Sequence, residues 1–424
     1  MRILYLSPTA SLGGAERVLL TVLAAAREAR PAPALRLIVP DAGPLAERAA
    51  ALGVETEVLP LPGDLAGLGD SSLRDRRGLR AWWGLLRRLL LATPAARRYA
   101  RTLAAAMRAW APDLVHSNGI KTHLLAWLGG GGGAPVLWHA HDFYSARPAV
   151  APLLRRAARG AAGAVAVSGA VARDLAGLFP QLPVWVVPNA VDLERFAPGP
   201  GDAAWLDAVA GFPAASGPVA RVGLVATYAR WKGHDVFLQA AARVLARPLP
   251  VPVRFYVVGG PIYQTAGSQF TEAELRDEAT RLGVAAHVGF VGFQPEPAGC
   301  YRALDIVVHA STRPEPFGLT IAEAMACGRA VVAVADGGAA EVFTDGHNAV
   351  GVRGGDAGAL AAAVTELVAD PERRRRLGEE ARRTAVERFG TARLSAQIGS
   401  VYAAVRSGST PRAGLENPAL VGRW

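Results

Sequence analysis

Short apolar runs alternate with longer helical patterns along nearly the whole chain, and the series occurs twice. Strands are expected near 2–7, 35–40, 56–60, 113–117, 135–141, 163–168 and 184–189, then near 220–226, 253–259, 286–292, 305–311 and 330–335. Helical spacing lies between them, for example at 15–29, 94–110 and 149–159, and later at 234–245, 271–282, 319–327 and 356–369. Strand–helix alternation of this kind demands parallel sheets with right-handed crossovers. Runs such as Ala330 to Ala335 are apolar at every position, as a strand is when helices cover both faces of its sheet. The Pro/Gly/Ala-rich stretch 189–218 interrupts the series and reads as a linker. The chain is thus expected to be α/β, with two Rossmann-like domains at 1–190 and 191–390. A terminal helix at 391–406 is placed to pack back on the first domain, and 407–424 reads as a disordered tail. The glycine run 129–133 reads as a flexible surface loop.

Charge is unevenly distributed. Residues 1–190 hold 22 Lys+Arg against 12 Asp+Glu, whereas 191–424 hold 24 of each. Most of the excess falls at 74–108, which has ten arginines and one acid, Asp75. A single basic element suggests a surface that meets something anionic. Within it Leu79, Trp82, Trp83, Leu86 and Leu90 follow helical spacing, with Arg76, Arg80 and Arg87 on another face. A basic amphipathic helix with paired tryptophans suits a membrane interface, and it equally suits a solvated helix packed by its Leu/Trp face. The run Arg373–Arg376 is flanked by Glu372, Glu379 and Glu380 and reads as a solvated face, so nucleic acid is not an expected partner. Two cysteines, Cys300 and Cys327, offer neither a disulfide framework nor a zinc-ligand spacing, which suits a reducing cytoplasm. The apolar start of the chain is too short for a signal-peptide core, and no apolar stretch reaches the ~18 residues of a membrane span.

The chemistry concentrates in five places. The first is Glu315-Pro-Phe-Gly-Leu-Thr-Ile-Ala-Glu323, which follows the apolar strand Asp305–Ser311. A buried strand running through a Pro/Gly loop into a helix leaves amides of Phe317, Gly318 and Leu319 at the helix N-terminus, an anion site suited to a diphosphate. Glu315 can reach back to a sugar hydroxyl, and Glu323, one turn into the helix, can accept from a ribose diol. The second is Arg230-Trp-Lys-Gly-His-Asp235. Lysine occurs only at 121 and 232 in a chain that otherwise uses arginine, so Lys232 suggests that a compact ammonium is needed, as in a diphosphate clamp. The third is the Gly13-Gly14 turn after the first strand, where a backbone can approach a ligand closely. The fourth is Trp138-His-Ala-His-Asp142, at a strand C-terminus, where open α/β sheets bind ligands. His141 can meet a sugar hydroxyl or a developing charge, and His139, one strand period away, is its rival. The fifth is Gly337-Gly338-Ala-Ala-Glu341. Each has a plainer reading as well: solvated carboxylates for Glu315, Glu323 and Glu341, a surface lysine, a tight turn, a locally bonded histidine. No Asp-x-Asp pair occurs, so no metal ligand is expected, and a leaving diphosphate would be stabilised by Lys232 and backbone dipoles.

The Glu-x7-Glu segment, the Trp-Lys-Gly loop, the N-terminal Gly-Gly turn and the Gly-Gly-x-x-Glu segment together resemble glycosyltransferase family 4. These are the retaining nucleotide-sugar transferases of GT-B fold, with two Rossmann-like domains whose sheets face a cleft. The resemblance spans roughly residues 1–406. It implies that Glu323 binds the ribose, and that Glu315 and the 317–319 amides hold sugar and phosphates. Lys232 and Gly14 would contact the diphosphate and His141 the donor sugar, with Gly13, Arg230, Gly338 and Glu341 completing the donor site. Base contacts are expected near Val291 and Phe293. The family often carries an arginine five residues before the lysine; Thr227 stands there in this chain, and Arg230 is the candidate substitute. The expectation is a hexosyltransferase that works without metal or other cofactor. Its substrates would be a nucleotide diphosphate sugar and a glycan or lipid-linked acceptor. It would be cytoplasmic, with Arg80, Trp82, Trp83 and Arg87 bringing it to the anionic inner face of the membrane. An epimerase or hydrolase of the same fold, and a non-catalytic membrane-associated binding protein, are the rival readings.

Overall fold

The computed structural model describes residues 1–66, 79–261 and 267–409, except for the side chains of 64, 66 and 79–93. The chain divides into two compact units, Met1–Ala190 with the segment from Thr391 on, and Val191–Gly390.

The first unit is a seven-stranded parallel sheet: β1 (Arg2–Leu6), β2 (Ala34–Val39), β3 (Glu55–Val58), β4 (Leu114–Asn118), β5 (Val136–Ala140), β6 (Gly163–Ala166) and β7 (Val184–Val186). Its order is β3-β2-β1-β4-β5-β6-β7. Helices α1 (Gly14–Glu28), α2 (Pro44–Ala51), α3 (Gly63–Ala66), α4 (Leu79–Trp110), α5 (Ile120–Leu128), α6 (Ala151–Ala158) and α7 (Gly169–Leu178) connect the strands. The second unit carries α8 (Ala203–Val209), β8 (Ala220–Val225), α9 (His234–Leu245), β9 (Val253–Val258), α10 (Glu272–Arg281), β10 (Val288–Phe290), α11 (Ala298–Ala303) and β11 (Ile306–His309). It continues with α12 (Leu319–Ala326), β12 (Ala330–Val334), β13 (Val350–Val352), α13 (Ala357–Ala369) and α14 (Pro371–Phe389). Its six parallel strands run in the order β10-β9-β8-β11-β12-β13. Helix α15 (Thr391–Ser407) returns to the first unit, where Ser395 Oγ donates to the Ala25 carbonyl of α1 at 2.9 Å.

Every residue of β5, β11 and β12 is buried, and α9 and α13 close one core over the second sheet. Burying a valine or leucine side chain in such a core contributes about 1.5–3 kcal/mol, which makes the all-apolar strands self-consistent. In both sheets the strand order reverses beside the first strand, between β1 and β4 and between β8 and β11. The C-terminal ends of strands at such a reversal open a crevice for ligands.

Three readings need correction. The stretch 189–218 is not a bare linker: beyond Ala190 it belongs to the second unit and carries α8. Asp207 of α8 is buried between Arg221 and Arg254, at 2.6 and 2.8 Å, so a Pro/Gly-rich composition concealed a packed anchor. The glycine run 129–133 is not a free loop. It forms a 3-10 turn whose backbone lies against α4, where a Cβ on Gly132 would stand 2.5 Å from that of Met107. The edge strand β13, only three residues of Val-Gly-Val, was too short to register as a period. The backbone of the basic segment is helical from Leu79, through Pro94. The side chains of Arg80, Trp82, Trp83 and Arg87 lie outside the described residues, as do Arg76 and the tail from 410.

Candidate active site

In the second unit the loops after β8 and β11 meet at the reversal. Gly233 makes this approach possible. It sits at φ +74°, and a Cβ there would fall 1.9 Å from the Ala310 carbonyl oxygen, so only glycine allows the loop to press on the end of β11. The Thr312 amide donates to the Trp231 carbonyl at 2.8 Å and ties the same two loops. Lys232 is thereby delivered to Glu315. Its Nζ donates to both carboxylate oxygens at 2.9 Å and lies 4.1 Å from the centre of the Trp231 ring.

Glu315 Oε2 also accepts from Ser311 Oγ at 2.9 Å and lies 3.3 Å from His309 Nε2. Burial alone would raise the Glu315 carboxyl. The Lys232 charge and the His309 hydrogen bond outweigh that and hold it well below the usual carboxylate range. The site therefore contains a fixed anion and cation side by side. His309 and Ser311 were missed in the sequence, although their period-two spacing at the end of an apolar strand is a usable signal.

Glu323 points to a different partner. It is buried on α12, and Oε2 accepts from Tyr301 Oη at 2.8 Å. Burial and the neighbouring carboxylate push the Tyr301 phenol up, so it remains a donor. The Phe317 side chain is buried edge-on against Phe389, with ring centres 5.6 Å apart, so that loop can offer a ligand only its backbone. Gly318, at φ +91°, turns the chain into α12, which leaves the amides from Leu319 onward at the helix N-terminus.

The Gly338 amide donates to the Glu315 carbonyl at 2.7 Å, so this residue braces the Glu315 loop rather than offering its N–H to a ligand. Glu341 closes the short turn that follows, and its carbonyl accepts from Arg388 at 2.6 Å. Arg230 turns to Glu274, 2.6 Å away, and stacks on Phe270. Thr227 Oγ1 is buried with no hydrogen-bond partner among the described residues. The Val291 amide continues the sheet by donating to Val257, while Phe293 is exposed.

The first unit presents a different surface. Glu16 Oε2 accepts from the Gly13 amide at 3.1 Å and closes the start of α1; a Cβ on Gly13 would stand 2.7 Å from that oxygen. A Cβ on Gly14 would meet nothing within 4 Å, so that side is open. The two histidines at the C-terminal end of β5, His139 within it and His141 just beyond it, separate clearly. His139 is buried and bonded through Nδ1 to His116 Nε2 at 3.1 Å. His141 is half-buried, and its Nε2 lies 2.6 Å from Asn118 Oδ1. Burial pulls both imidazoles down, His141 to about 3, so both are neutral near pH 7. Asp142 is paired to Arg147 at 2.5 Å.

Two family models match: Glycosyltransferase Family 4 over residues 42–195, and Glycosyl transferases group 1 over residues 217–384. Among curated relatives, D-inositol 3-phosphate glycosyltransferase 2 of Catenulispora acidiphila is 39% identical over 224 residues, 52% of this chain and 50% of that protein. A D-inositol 3-phosphate glycosyltransferase of Streptomyces bingchenggensis is 37% identical over 238 residues, 55% of this chain and 50% of that protein. The matches thus span about half the length of these relatives. HepE from Anabaena, solved with UDP-glucose, superposes with a TM-score of 0.75 over 95% of this chain and 100% of its own, at 23% identity. Sucrose-phosphate synthase from Thermosynechococcus elongatus gives 0.71 over 96% and 100%, at 21% identity. With both sheets parallel, both reversals in place and both halves matched, the chain belongs to glycosyltransferase family 4 and has the GT-B fold.

Proposed function

We propose that the protein transfers a hexose from a nucleotide diphosphate sugar to an acceptor hydroxyl, with retention of configuration and without a metal. The observation that carries this reading is the pair of half-buried Lys232 and buried Glu315 at the β8/β11 reversal, on the same crevice as the α12 N-terminus. A diphosphate arriving at the α12 amides competes with Glu315 for the ammonium. Lys232 then neutralises the leaving group, and Glu315 is released to accept from a sugar hydroxyl. Glu323, oriented by Tyr301, takes the ribose hydroxyls. With Arg230 held by Glu274 and Thr227 uncharged, Lys232 and the backbone dipoles carry the diphosphate.

In the reaction, the bond from the anomeric carbon to the diphosphate oxygen breaks. The acceptor oxygen bonds to that carbon on the same face, and its proton passes to the leaving diphosphate. UDP is the first base to test, because HepE was solved with UDP-glucose. D-inositol 3-phosphate joins glycans and lipid-linked sugars among the acceptors to test, from the names of the relatives. The basic helix of the first unit would bring a membrane-borne acceptor to the site; no helix among the described residues is long and apolar enough to cross a membrane.

The experiment is to incubate the protein with UDP- and GDP-sugars, with and without each acceptor, and to follow nucleotide release and product. Acceptor-dependent release with the anomeric configuration retained is the expected result. Release that ignores the acceptor would favour an epimerase or hydrolase, and absence of donor binding would favour a membrane-associated binding protein.

A further inference from the structure

The first unit holds a hydrogen-bonded chain that the proposed reaction does not by itself require. Tyr5 Oη lies 3.0 Å from Tyr402 Oη, Tyr402 Oη 3.0 Å from His116 Nδ1, and His116 Nε2 3.1 Å from His139 Nδ1. The His139 ring then packs on that of His141, with centres 4.0 Å apart. On its other side His141 meets Asn118, which is 1% exposed. Four elements converge here: the neighbouring strands β1, β4 and β5, and the terminal helix α15.

The protons in this chain can be assigned. Asn118 Nδ2 donates to the Ala15 carbonyl at 3.5 Å, so its Oδ1 faces His141 as an acceptor. Two acceptors do not bond, so His141 Nε2 carries the hydrogen and Nδ1 is left with its lone pair. The buried chain orders itself by the same counting. When Tyr5 donates to Tyr402, Tyr402 to His116 and His116 to His139, each of these three protons has an acceptor, and the fourth, on His139 Nε2, lies at the end of the chain away from Tyr5. The opposite sense points the Tyr5 hydroxyl into the core, where no further acceptor lies among the described residues and Tyr5 is fully buried. A donor left unpaired in the core costs about 1–3 kcal/mol, and Tyr5 is the more deeply enclosed of the two chain ends, which favours the first sense. His139 therefore carries its proton on Nε2, and its position is fixed from α15.

We propose that Asn118 is a positioning residue that locks His141 as the neutral Nε2–H tautomer, backed by the Tyr5–Tyr402–His116–His139 chain, so that Nδ1 stands as a fixed acceptor for a hydroxyl. That the hydroxyl belongs to the donor sugar rests on the function proposed above; the ring assignment does not. Asn118 also joins the Gly13-Gly14 turn to His141, since Ala15 directly follows the glycines. One amide thus sets both the ring and the start of α1.

The test is the nitrogen-15 spectrum of the histidine rings in the full-length protein at pH 7, without donor. The His141 signals are identified by their loss in His141→Gln. The expected wild-type result is a protonated Nε2 and a bare Nδ1. Asn118→Asp, whose side chain can only accept, keeps that pattern, while Asn118→Ala gives a ring averaged over both tautomers. In parallel, Asn118→Ala lowers kcat/KM for the donor about tenfold and Asn118→Asp restores most of it. A wild-type ring bearing hydrogen on Nδ1, or on both nitrogens, overturns the proposal whatever the Asn118 variants show. So does an Asn118→Ala ring that keeps the pure Nε2–H form. The assigned ring in a protein that turns over no donor supports the tautomer lock and counts only against the transferase reading.

Discussion

The two sheets follow the same plan, with parallel strands and the first strand beside the reversal, yet they fill the crevice differently. At β1/β4 the groups are neutral: Asn118, His139 and His141, with His116 and two tyrosines behind them. At β8/β11 they are ionic, with Lys232 held on Glu315 beside Ser311 and His309. The net charges differ too: the formal balance of 1–190 is +10 and that of 191–424 is zero. One topology therefore supports a surface suited to neutral hydroxyls and a site suited to a diphosphate. The difference arises from a few polar side chains in and just after the strands, since β5 and β11 are alike in being buried throughout.

The largest effect expected from breaking this contrast is at Lys232. Lys232→Ala removes both the clamp and the partner of a buried carboxylate. It should lower kcat/KM by about a thousandfold, in the range of lost electrostatic stabilisation. It should also destabilise the fold by about 3–5 kcal/mol, as for other broken buried pairs. Adding Glu315→Gln to it should recover much of the melting temperature but none of the activity. Steady-state kinetics and calorimetry separate the two effects, and a single mutant with unchanged activity would remove Lys232 from the mechanism.

A smaller effect separates the buried histidines from the Lys232–Glu315 pair by pH. His116, His123, His139 and His141 of the first unit are all held below the ordinary histidine value, chiefly by burial. His234 of the second unit is held down to about 3 by burial and then by the Lys232 charge. Because the unfolded chain binds these protons first, stability falls as pH drops below about 6.5. Glu315 is shifted in the sense usual for a paired carboxylate: its contribution is intact above about 4.5 and is lost only as pH falls further. Between pH 7 and 5, His116→Gln should therefore flatten the slope of melting temperature with pH, and Glu315→Gln should leave it unchanged. An equal slope in all three proteins would refute the assignment.

The smallest expected effect concerns the charge asymmetry. Replacing Trp82 and Trp83 by alanine should weaken binding to anionic vesicles about tenfold and leave binding to neutral vesicles unaltered. Unchanged binding would reduce the basic segment to an ordinary packed helix.

Much of the fold was readable because strand and helix periods are local. Twelve of the thirteen strands were expected from the sequence, and β13 escapes because its three residues, Val-Gly-Val, sit in a Gly-rich stretch with no flanking apolar run. The segment Glu315–Glu323 was readable for the same reason: a strand, a Pro/Gly loop and a helix start occupy consecutive positions. Asp207 was hidden because burial beside Arg221 and Arg254 depends on residues 14 and 47 positions away, which a Pro/Gly-rich stretch does not announce. His139 and His141 looked equivalent because a strand period says which side two residues share, not what waits there. Only β4 and α15, supplying His116 and Tyr402, turned one into a buried brace and left the other half-buried against Asn118.

The sequence by itself determined the two α/β units, the strand that feeds the Glu-x7-Glu helix, and the residue types at every strand end. These follow from hydrophobic period and backbone preference, which act over a few residues. The tertiary structure decided the partners: Lys232 with Glu315 across 83 positions, Tyr301 with Glu323, Asn118 with His141, Tyr402 with His116. Partnering sets charge, tautomer and orientation, and it depends on which strand ends the sheet order makes neighbours. Parallel sheets bring distant segments side by side, so the chemistry of these crevices is written in contacts that no local pattern contains.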